Sequence, residues 1–265
     1  MLSNFHTHTS FCDGKNTAEE MVISAINNGF SSLGFSGHGK TPHDLSYCIT
    51  DTKGYIAEIK RLKEKYKNYI QIYLGVEEDI SSLQNRKDFD YIIGSNHYFK
   101  IENKYYHVDH SLKHFNNALK LFNGDILTLA RNYYEPFCDY IKSRKPDIIG
   151  HFDLITKFDE PEGLFLNNEK YKALAEKYLF EVLKADCFFE VNTGAISRGY
   201  RTSPYPSIDL LHTLKKNGGK LVLNSDSHSA DTLDCFFEES RKMLKDIGFQ
   251  YTYTLYNNEF IKDYL

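Results

Sequence analysis

Seven short apolar runs along the chain end in residues that can bind a metal ion or an anion. The first run ends at Phe5-His6-Thr7-His8 and the last at Asn224-Ser225-Asp226-Ser227-His228. The five runs between them end at Gly37-His38, Gly75-Val76-Glu77, Gly94-Ser95-Asn96-His97, Gly150-His151-Phe152-Asp153 and Glu190-Val191-Asn192-Thr193-Gly194. Residues two apart in a strand point to the same side, so His6 and His8 can reach one ion together, and Asp226 and His228 repeat that spacing. A lone histidine is more often structural, but this recurrence predicts a metal site.

The apolar runs alternate with segments of helical period. This alternation indicates βα units around a parallel sheet, and these units would position the candidate residues. We predict seven strands, near residues 2–8, 32–36, 70–76, 91–94, 147–150, 187–191 and 220–224. We predict helices near residues 17–28, 52–67, 111–122, 126–143, 168–185, 208–216 and 232–247, the first with Thr17 as N-cap and Glu20 at the capping-box position. Residues 101–110 are predicted to form a hairpin or a long loop. In α/β barrels the chemistry lies at the C-terminal ends of the strands, where every candidate stands.

Composition limits the class of protein. With 265 residues, of which 41% are hydrophobic, the chain predicts a single domain over residues 1–265. A net charge of -4 and a pI near 6.3 give no bulk reason to expect nucleic-acid binding. No apolar stretch approaches the roughly 20 residues of a membrane span, and the first run already carries His6, which leaves no room for a secretory leader. Five cysteines without a CxxC pair indicate neither a disulfide framework nor a zinc knuckle. We therefore expect a cytoplasmic protein.

The motifs together resemble those of the polymerase and histidinol phosphatase (PHP) family. The resemblance lies in His6-Thr7-His8-Thr9 with Asp13, Gly37-His38, Glu77, Gly94-Ser95-Asn96-His97, Gly150-His151 and Asp226-Ser227-His228, and it covers nearly the whole chain. It implies a distorted, TIM-like (β/α)7 barrel that holds up to three divalent ions. Many family members have a histidine where Asp13 stands, so this position is expected to influence which metal is preferred.

The resemblance also implies which residues hold each ion. His6, His8, Glu77 and Asp226 would hold the first, bridging Glu77 with His97 and His151 the second, and Asp13, His38 and His228 the third. Nine ligands are too many for one zinc ion, which usually takes four. Mixed imidazole and carboxylate ligands suit zinc, iron(II) or manganese, so we expect two to three such ions. Three carboxylates against three divalent ions leave a formal charge of about +3, which favours a phosphate dianion.

The expected mechanism is attack on phosphorus by a hydroxide that bridges the metal ions. Glu77 and Asp226 are the predicted catalytic residues, and either Asp226 or a metal-bound water would protonate the leaving group.

Four residues are candidate substrate contacts. Arg198 lies just past the sixth strand and can fork onto a phosphate, and Arg201 on the same loop is a second candidate. Lys157 can reach the site from the fifth βα loop. Asn192, with Glu190 on the same face of its strand, could contact substrate or orient ligands. The alternative for each is a structural or solvated side chain.

Within the family, the likeness is closest to the histidinol-phosphate phosphatases, judging from Gly150-His151-Phe152-Asp153-Leu154-Ile155 and the segment from Glu190 to Arg198. It implies a phosphomonoesterase that converts L-histidinol phosphate to L-histidinol and phosphate, a small-molecule reaction of histidine biosynthesis. A PHP-type protein-tyrosine phosphatase or 3'-5' exonuclease is the alternative, because the metal motifs alone do not identify what carries the phosphate. A noncatalytic metal-binding protein is a third possibility. The sequence leaves the oligomeric state open, as well as whether residues 101–110 close over the site.

Overall fold

The computed structural model describes residues 1–265 and contains a nine-stranded sheet: seven strands form the parallel series expected of the barrel, an eighth pairs parallel with the seventh, and the ninth is antiparallel. In spatial order the seven are β1 (Ser3–Asn4), β2 (Ser32–Phe35), β3 (Gln71–Asp79), β4 (Tyr91–Ser95), β7 (Ile148–Ile149), β8 (Phe188–Asn192) and β9 (Lys220–Asn224). A separate two-stranded hairpin, β5 (Tyr98–Ile101) with β6 (Lys104–His107), follows β4. The predicted α/β, TIM-like architecture is confirmed.

The parallel strands curl until the first and the seventh meet. Thr7, just after β1, forms a parallel bridge with Ser227, just after β9. The amide of His8 donates to the carbonyl of Ser227 at 2.8 Å, and the amide of Ser227 donates to the carbonyl of His6 at 3.1 Å. Because this contact joins the carboxyl ends of the strands, the rim that carries the candidate ligands is closed.

The other end of the barrel is opened by a C-terminal hairpin, β10 (Tyr251–Tyr256) with β11 (Glu259–Tyr264), which the sequence analysis did not predict. Strand β10 pairs with β9 through Tyr253 and Val222, and the hydroxyl of Thr254 lies 2.7 Å from that of Ser3 in β1. The hairpin therefore lies between the first and seventh strands on the side away from the ligands, which distorts the barrel.

Eight α-helices cover the sheet. They are α1 (Ala18–Asn27), α2 (Thr52–Lys65), α3 (Leu112–Leu121), α4 (Ile126–Arg144), α5 (Glu169–Leu183), α6 (Gly194–Ser197), α7 (Ile208–Lys216) and α8 (Phe237–Ile247). The predicted capping box of α1 is confirmed, since Thr17 and Glu20 each bond the other's backbone amide. None of the helices combines the length and the apolar character that crossing a membrane requires.

The barrel interior below the ligands is filled by aromatic and branched side chains. Tyr91 lies across the backbone of β2 and β3, where an added Cβ at Gly34 would come within 2.3 Å of its hydroxyl and one at Gly75 within 2.2 Å of its ring. The Tyr91 hydroxyl donates to the carbonyl of Phe5 at 2.5 Å. These contacts form a tightly packed layer directly below the rim that carries the candidate ligands.

Three predicted boundaries need correction. The first strand ends at Asn4, not at residue 8, because the amides of Phe5, His6 and Thr7 bond side-chain oxygens instead of a neighbouring strand. The hairpin after β4 begins at Tyr98, three residues before the predicted insert. Helix α8 begins at Phe237, five residues after its predicted start. Phe236 adopts a left-handed conformation with φ of 60° and turns the chain before the helix.

Candidate active site

The structure brings all nine predicted ligands together at the carboxyl ends of the strands. Most stand on the segment that directly follows a strand, Glu77 lies within β3, and Asp13 lies on the loop after the first strand segment. Four overlapping groups place one ligand atom from each member within 4.8 Å of the others: His8, Asp13, His38 and His228; His6, Glu77 and His151; His6, His8 and Asp226; His38, Glu77 and His97.

Glu77 stands at the centre of this cluster and is 1% exposed. One of its oxygens, Oε1, lies 2.9 Å from Nε2 of His151 and 3.2 Å from Nε2 of His97. The other, Oε2, lies 2.8 Å from Nδ1 of His38 and 3.2 Å from Nε2 of His6. Each carboxylate oxygen therefore faces a different pair of imidazoles, an arrangement that suits a bridge between two ions.

The remaining ligands flank Glu77 on one side. Oδ1 of Asp226 lies 3.1 Å from Nε2 of His8 and 3.6 Å from Nε2 of His6. Asp13 lies 3.3 Å from Nε2 of His228 and 3.7 Å from Nε2 of His38. Asp13 is also 3.7 Å from Nδ1 of His8, so His8 adjoins the set predicted for the third ion and the ligand sets overlap more than predicted.

Several buried nitrogen and oxygen atoms in the cluster, which could each bind a metal ion, have no hydrogen-bond partner in the protein. These include Nε2 of His6, Nε2 of His8 and Oε2 of Glu77. A buried polar atom without a partner is costly, and these three converge on one another. Imidazole and carboxylate donors in this arrangement fit divalent zinc, iron or manganese.

The protonation states of His8 and Glu77 are those that a metal ligand requires. Burial and the neighbouring His228 and His38 lower the pKa of His8 to about 3, so its ring is neutral and keeps a lone pair. Burial alone would raise the pKa of Glu77, but His6, His38 and His97 hold it well below its usual range. The carboxylate of Glu77 is therefore ionised, as a metal ligand must be.

Two carboxylates outside the nine orient the histidines. Glu190 Oε1 accepts from Nδ1 of His6 at 2.6 Å. Oδ2 of Asp79 lies 3.2 Å from Nδ1 of His97 and accepts from its backbone amide at 3.0 Å. The sequence analysis considered Glu190 for such a role and missed Asp79, although Asp79 lies two residues after Glu77 and so shares its face of β3.

A cavity of about 420 Å³ opens onto the ligands. Of the four predicted substrate contacts, Arg198 and Lys157 line it. Arg198 Nη2 bonds Oδ2 of Asp226 at 3.0 Å, and Lys157 Nζ donates to the carbonyl of Asp109 at 2.8 Å. A positively charged group thus stands on two sides of the cavity.

The other two predicted contacts lie outside the cavity lining. Arg201 is 3% exposed and bonds Thr156 and Ser203, because its loop folds back over the aromatic ring of Tyr205. Asn192 is fully buried, where it donates to Glu190 at 2.9 Å and accepts from the amide of Gly194 at 2.8 Å. Both side chains support the loop that carries Arg198.

Some residues that line the cavity were not predicted. The hairpin β5–β6 and the segment after it contribute His107, Asp109 and His110, and the loop after β2 contributes Asp44 and Tyr47. The two sides meet where His107 Nε2 lies 3.1 Å from Asp44 Oδ2. The sequence carried a partial signal in the paired Tyr105-Tyr106 of the insert, but no pattern linked it to Asp44.

Comparison with known proteins identifies the family. The model described as "PHP domain" matches residues 4–194. The chain belongs to the PHP family. The match spans the segments that carry seven of the nine candidate ligands of this PHP protein, and the other two, Asp226 and His228, lie on the segment just after β9.

Relatives of this PHP protein cover most of its length. The Schizosaccharomyces pombe protein "Probable histidinol-phosphatase" is 26% identical over 92% of this chain and 86% of its own. The Lactococcus lactis protein "Histidinol-phosphatase" is 25% identical over 93% and 90%. The fold resembles a crystal structure of histidinol phosphate phosphatase from L. lactis complexed with Zn, L-histidinol and phosphate, with a TM-score of 0.71 and 22% identity over 98% of each chain.

Proposed function

We propose that this PHP protein is a metal-dependent phosphomonoesterase that hydrolyses L-histidinol phosphate to L-histidinol and phosphate. The observation that carries the proposal is the central Glu77, with its two oxygens facing different imidazole pairs at the base of a cavity that Arg198 and Lys157 also line. The names of its full-length relatives support the choice of substrate.

The nine ligands would hold two to three divalent ions. The predicted division remains our proposal: His6, His8, Glu77 and Asp226 for one ion, Glu77, His97 and His151 for a second, and Asp13, His38 and His228 for a third. Zinc, iron(II) or manganese bound there would polarise the phosphoryl oxygens and supply a hydroxide nucleophile at neutral pH.

The protein's own groups bind and orient the phosphate ester. Arg198, whose side chain is 30% exposed, presents a guanidinium to the cavity, and Lys157 presents an ammonium group to the same cavity. Both can bind phosphate oxygens and stabilise the charge that develops during phosphoryl transfer. Asp109, which is bonded to Lys157, fixes the position of the ammonium group.

Asp226 is better suited to holding an ion than to donating a proton. Burial would raise its pKa, but Arg198 and His6 hold the pKa well below the usual range, so the carboxylate is ionised. Of the two proton donors predicted from the sequence, this favours water over Asp226 as the group that protonates the leaving alcohol.

The size and the lining of the cavity favour a small ester over the alternative substrates. The contact between His107 and Asp44 joins two of the segments that line it, and Asp44 and Asp109 place negative charge in the lining. These carboxylates would repel the phosphates of a nucleic-acid strand. We therefore rank the exonuclease and the protein-tyrosine phosphatase below the small-molecule enzyme.

A substrate panel tests the assignment. Histidinol phosphate, a phosphotyrosine peptide and single-stranded DNA are compared by kcat/KM with the zinc-supplemented protein. We expect a clear preference for histidinol phosphate. Equal or better use of either alternative would overturn the substrate assignment and leave the metal chemistry open.

Replacement of Glu77 tests the metal chemistry. We expect Glu77→Gln to lower phosphate release by more than about 100-fold, because even partners of metal ligands commonly cost 10- to 100-fold when they are lost. The matched control is Glu78→Gln, since Glu78 is equally buried on the next position of β3 but bonds Arg144 and Tyr140 outside the cluster. Near wild-type turnover by Glu77→Gln, or fewer than two divalent ions per wild-type chain, would contradict the proposal.

A further inference from the structure

Glu190 is a fully buried glutamate in β8 that does not line the 420 Å³ cavity and is none of the nine candidate ligands. Its Oε1 accepts from Nδ1 of His6 at 2.6 Å and from Nδ2 of Asn224 at 2.9 Å. Its Oε2 accepts from the backbone amide of His151 at 2.9 Å and from Nδ2 of Asn192 at 2.9 Å. One carboxylate thus bonds residues that lie on or just after four different strands of the barrel.

All four of these partners act as donors. The amide of His151 can only donate, and the two asparagine side chains present their NH2 groups. An ionised carboxylate is the one side chain of this size that accepts at both ends, so the site demands glutamate rather than glutamine. The hydrogen on Nδ1 of His6 must then point at Glu190.

This hydrogen bond determines whether the other ring nitrogen of His6, Nε2, carries a hydrogen. A neutral imidazole carries one hydrogen, so a hydrogen on Nδ1 leaves Nε2 with a free lone pair. That atom lies 3.2 Å from Glu77 and 3.6 Å from Asp226, and it has no hydrogen-bond partner in the protein. When an ion binds and the second proton has left the ring, the lone pair of Nε2 therefore points into the ligand cluster.

We infer that Glu190 is a positioning residue for the metal centre: it holds His6 in the tautomer whose Nε2 binds an ion and anchors the backbone beside His151. Glu190 acts through these two ligands and touches neither ion nor substrate. The inference rests on the proposed function in that the cluster binds metal, but it does not depend on which ester is hydrolysed.

The test is Glu190→Gln, which keeps the shape of the side chain. Its oxygen must remain toward the amide of His151, so its NH2 group faces His6 and favours the tautomer with the hydrogen on Nε2. We expect zinc affinity at the weakened site to fall by about 10- to 100-fold, as measured by calorimetric titration of the metal-free protein. Zinc binding by the set of Asp13, His38 and His228 should persist, and excess zinc should restore part of the phosphate release.

Nitrogen NMR of the histidine rings supplies a readout that loss of packing would not mimic. In the zinc-loaded wild type we expect a strongly hydrogen-bonded proton on Nδ1 of His6, assigned by its absence from a His6→Asn sample. We expect this signal to be lost in Glu190→Gln. Glu78→Gln is the control for replacing a buried glutamate, and it should lower thermal stability while the His6 signal and the zinc affinity remain.

Two results would overturn the inference. One is a Glu190→Gln protein that binds zinc as tightly as the wild type. The other, which needs no variant that folds, is a zinc-loaded wild type without a proton on Nδ1 of His6. If histidinol phosphate is not a substrate but zinc affinity falls as expected, the role of Glu190 stands and only the proposed substrate fails.

Discussion

At the scale of single residues, two arginines three positions apart have different surroundings. Arg198 lines the cavity and bonds Asp226, whereas Arg201 is buried against Thr156 and Ser203. We expect Arg198→Ala to lower kcat/KM for a phosphate ester by roughly 30-fold, since a hydrogen bond to a charged group contributes about 2 kcal/mol. Steady-state kinetics should show the loss mainly in KM, with the metal content unchanged.

The control for this variant is Arg201→Lys. Lysine cannot reproduce the forked contacts of the buried guanidinium, so the free energy of unfolding should fall while kcat/KM changes little. If Arg198→Ala instead loses bound metal, the bond between Arg198 and Asp226 orients the carboxylate, and Arg198 would not be primarily a substrate contact.

The charge states of the ligand histidines predict how zinc binding depends on pH. Burial lowers the pKa of His6 and of His97, but the adjacent Glu190 and Glu77 at His6, and Glu77 and Asp79 at His97, raise it well above the usual value near 6.5. In the metal-free protein these rings stay protonated to higher pH than an ordinary histidine. An ion must displace those protons, so zinc affinity should fall as the pH is lowered through that range.

Calorimetry in buffers of different ionisation enthalpy measures both the zinc affinity and the number of protons released on binding. We expect weaker zinc binding at about pH 6 than at about pH 8, with net proton release on binding in the wild type. Equal affinity at the two values, without proton release, would show that the rings are already neutral in the metal-free protein.

At the scale of elements, the seven predicted strands are present, and the nine candidate ligands lie together because each parallel strand brings its carboxyl end to the same rim. The first strand is shorter than predicted, and the difference has a physical reason. The apolar pattern of residues 2–8 is that of a buried strand, yet Asn224, Asn4 and Ser36 supply side-chain oxygens to the amides of residues 5–7. Those acceptors come from distant elements, so no local pattern reveals them.

The C-terminal hairpin was missed although its sequence carries a signal. Tyrosine and threonine alternate from Tyr251 to Thr254 in β10, and Asn257 and Asn258 both adopt positive φ, as the turns of tight hairpins require. Asn-Asn is a weaker turn signal than Asn-Gly. The position of the hairpin beside β9 depends on packing and could not be read from the pattern.

The contact between Tyr91 and the glycines of β2 and β3 predicts a stability effect at the element scale. An added Cβ at Gly75 would lie 2.2 Å from the Tyr91 ring, so Gly75→Ala must displace the tyrosine or the strand. We expect the free energy of unfolding to fall by about 1 to 3 kcal/mol or more, as measured by urea denaturation. Combining Gly75→Ala with Tyr91→Leu should cost less than the sum of the two single changes. Strict additivity would mean that the tyrosine is not what resists the added methyl group.

At the scale of the whole molecule, the site could be predicted because ligands from residue 6 to residue 228 all belong to one rim. The cavity wall was less predictable, since Asp44 and Asp109 lie on a loop and after a hairpin whose meeting depends on packing between distant segments. Patterns that repeat with each strand are visible in a single sequence, whereas contacts between irregular segments are not.

Because the ligands come from six of the seven parallel strands, ions bound at the rim should stabilise the entire barrel. A ligand that binds only the folded chain at 100 times its Kd adds about 2.7 kcal/mol to the free energy of unfolding. Removing zinc with a chelator should therefore lower Tm by roughly 5 to 10 °C, and adding zinc back should restore it. Differential scanning calorimetry measures both changes. Glu77→Gln, which lacks the carboxylate that we propose bridges two ions, should respond much less to the chelator than Glu78→Gln. An unchanged Tm after complete removal of metal would mean that protein contacts alone hold the closed rim together.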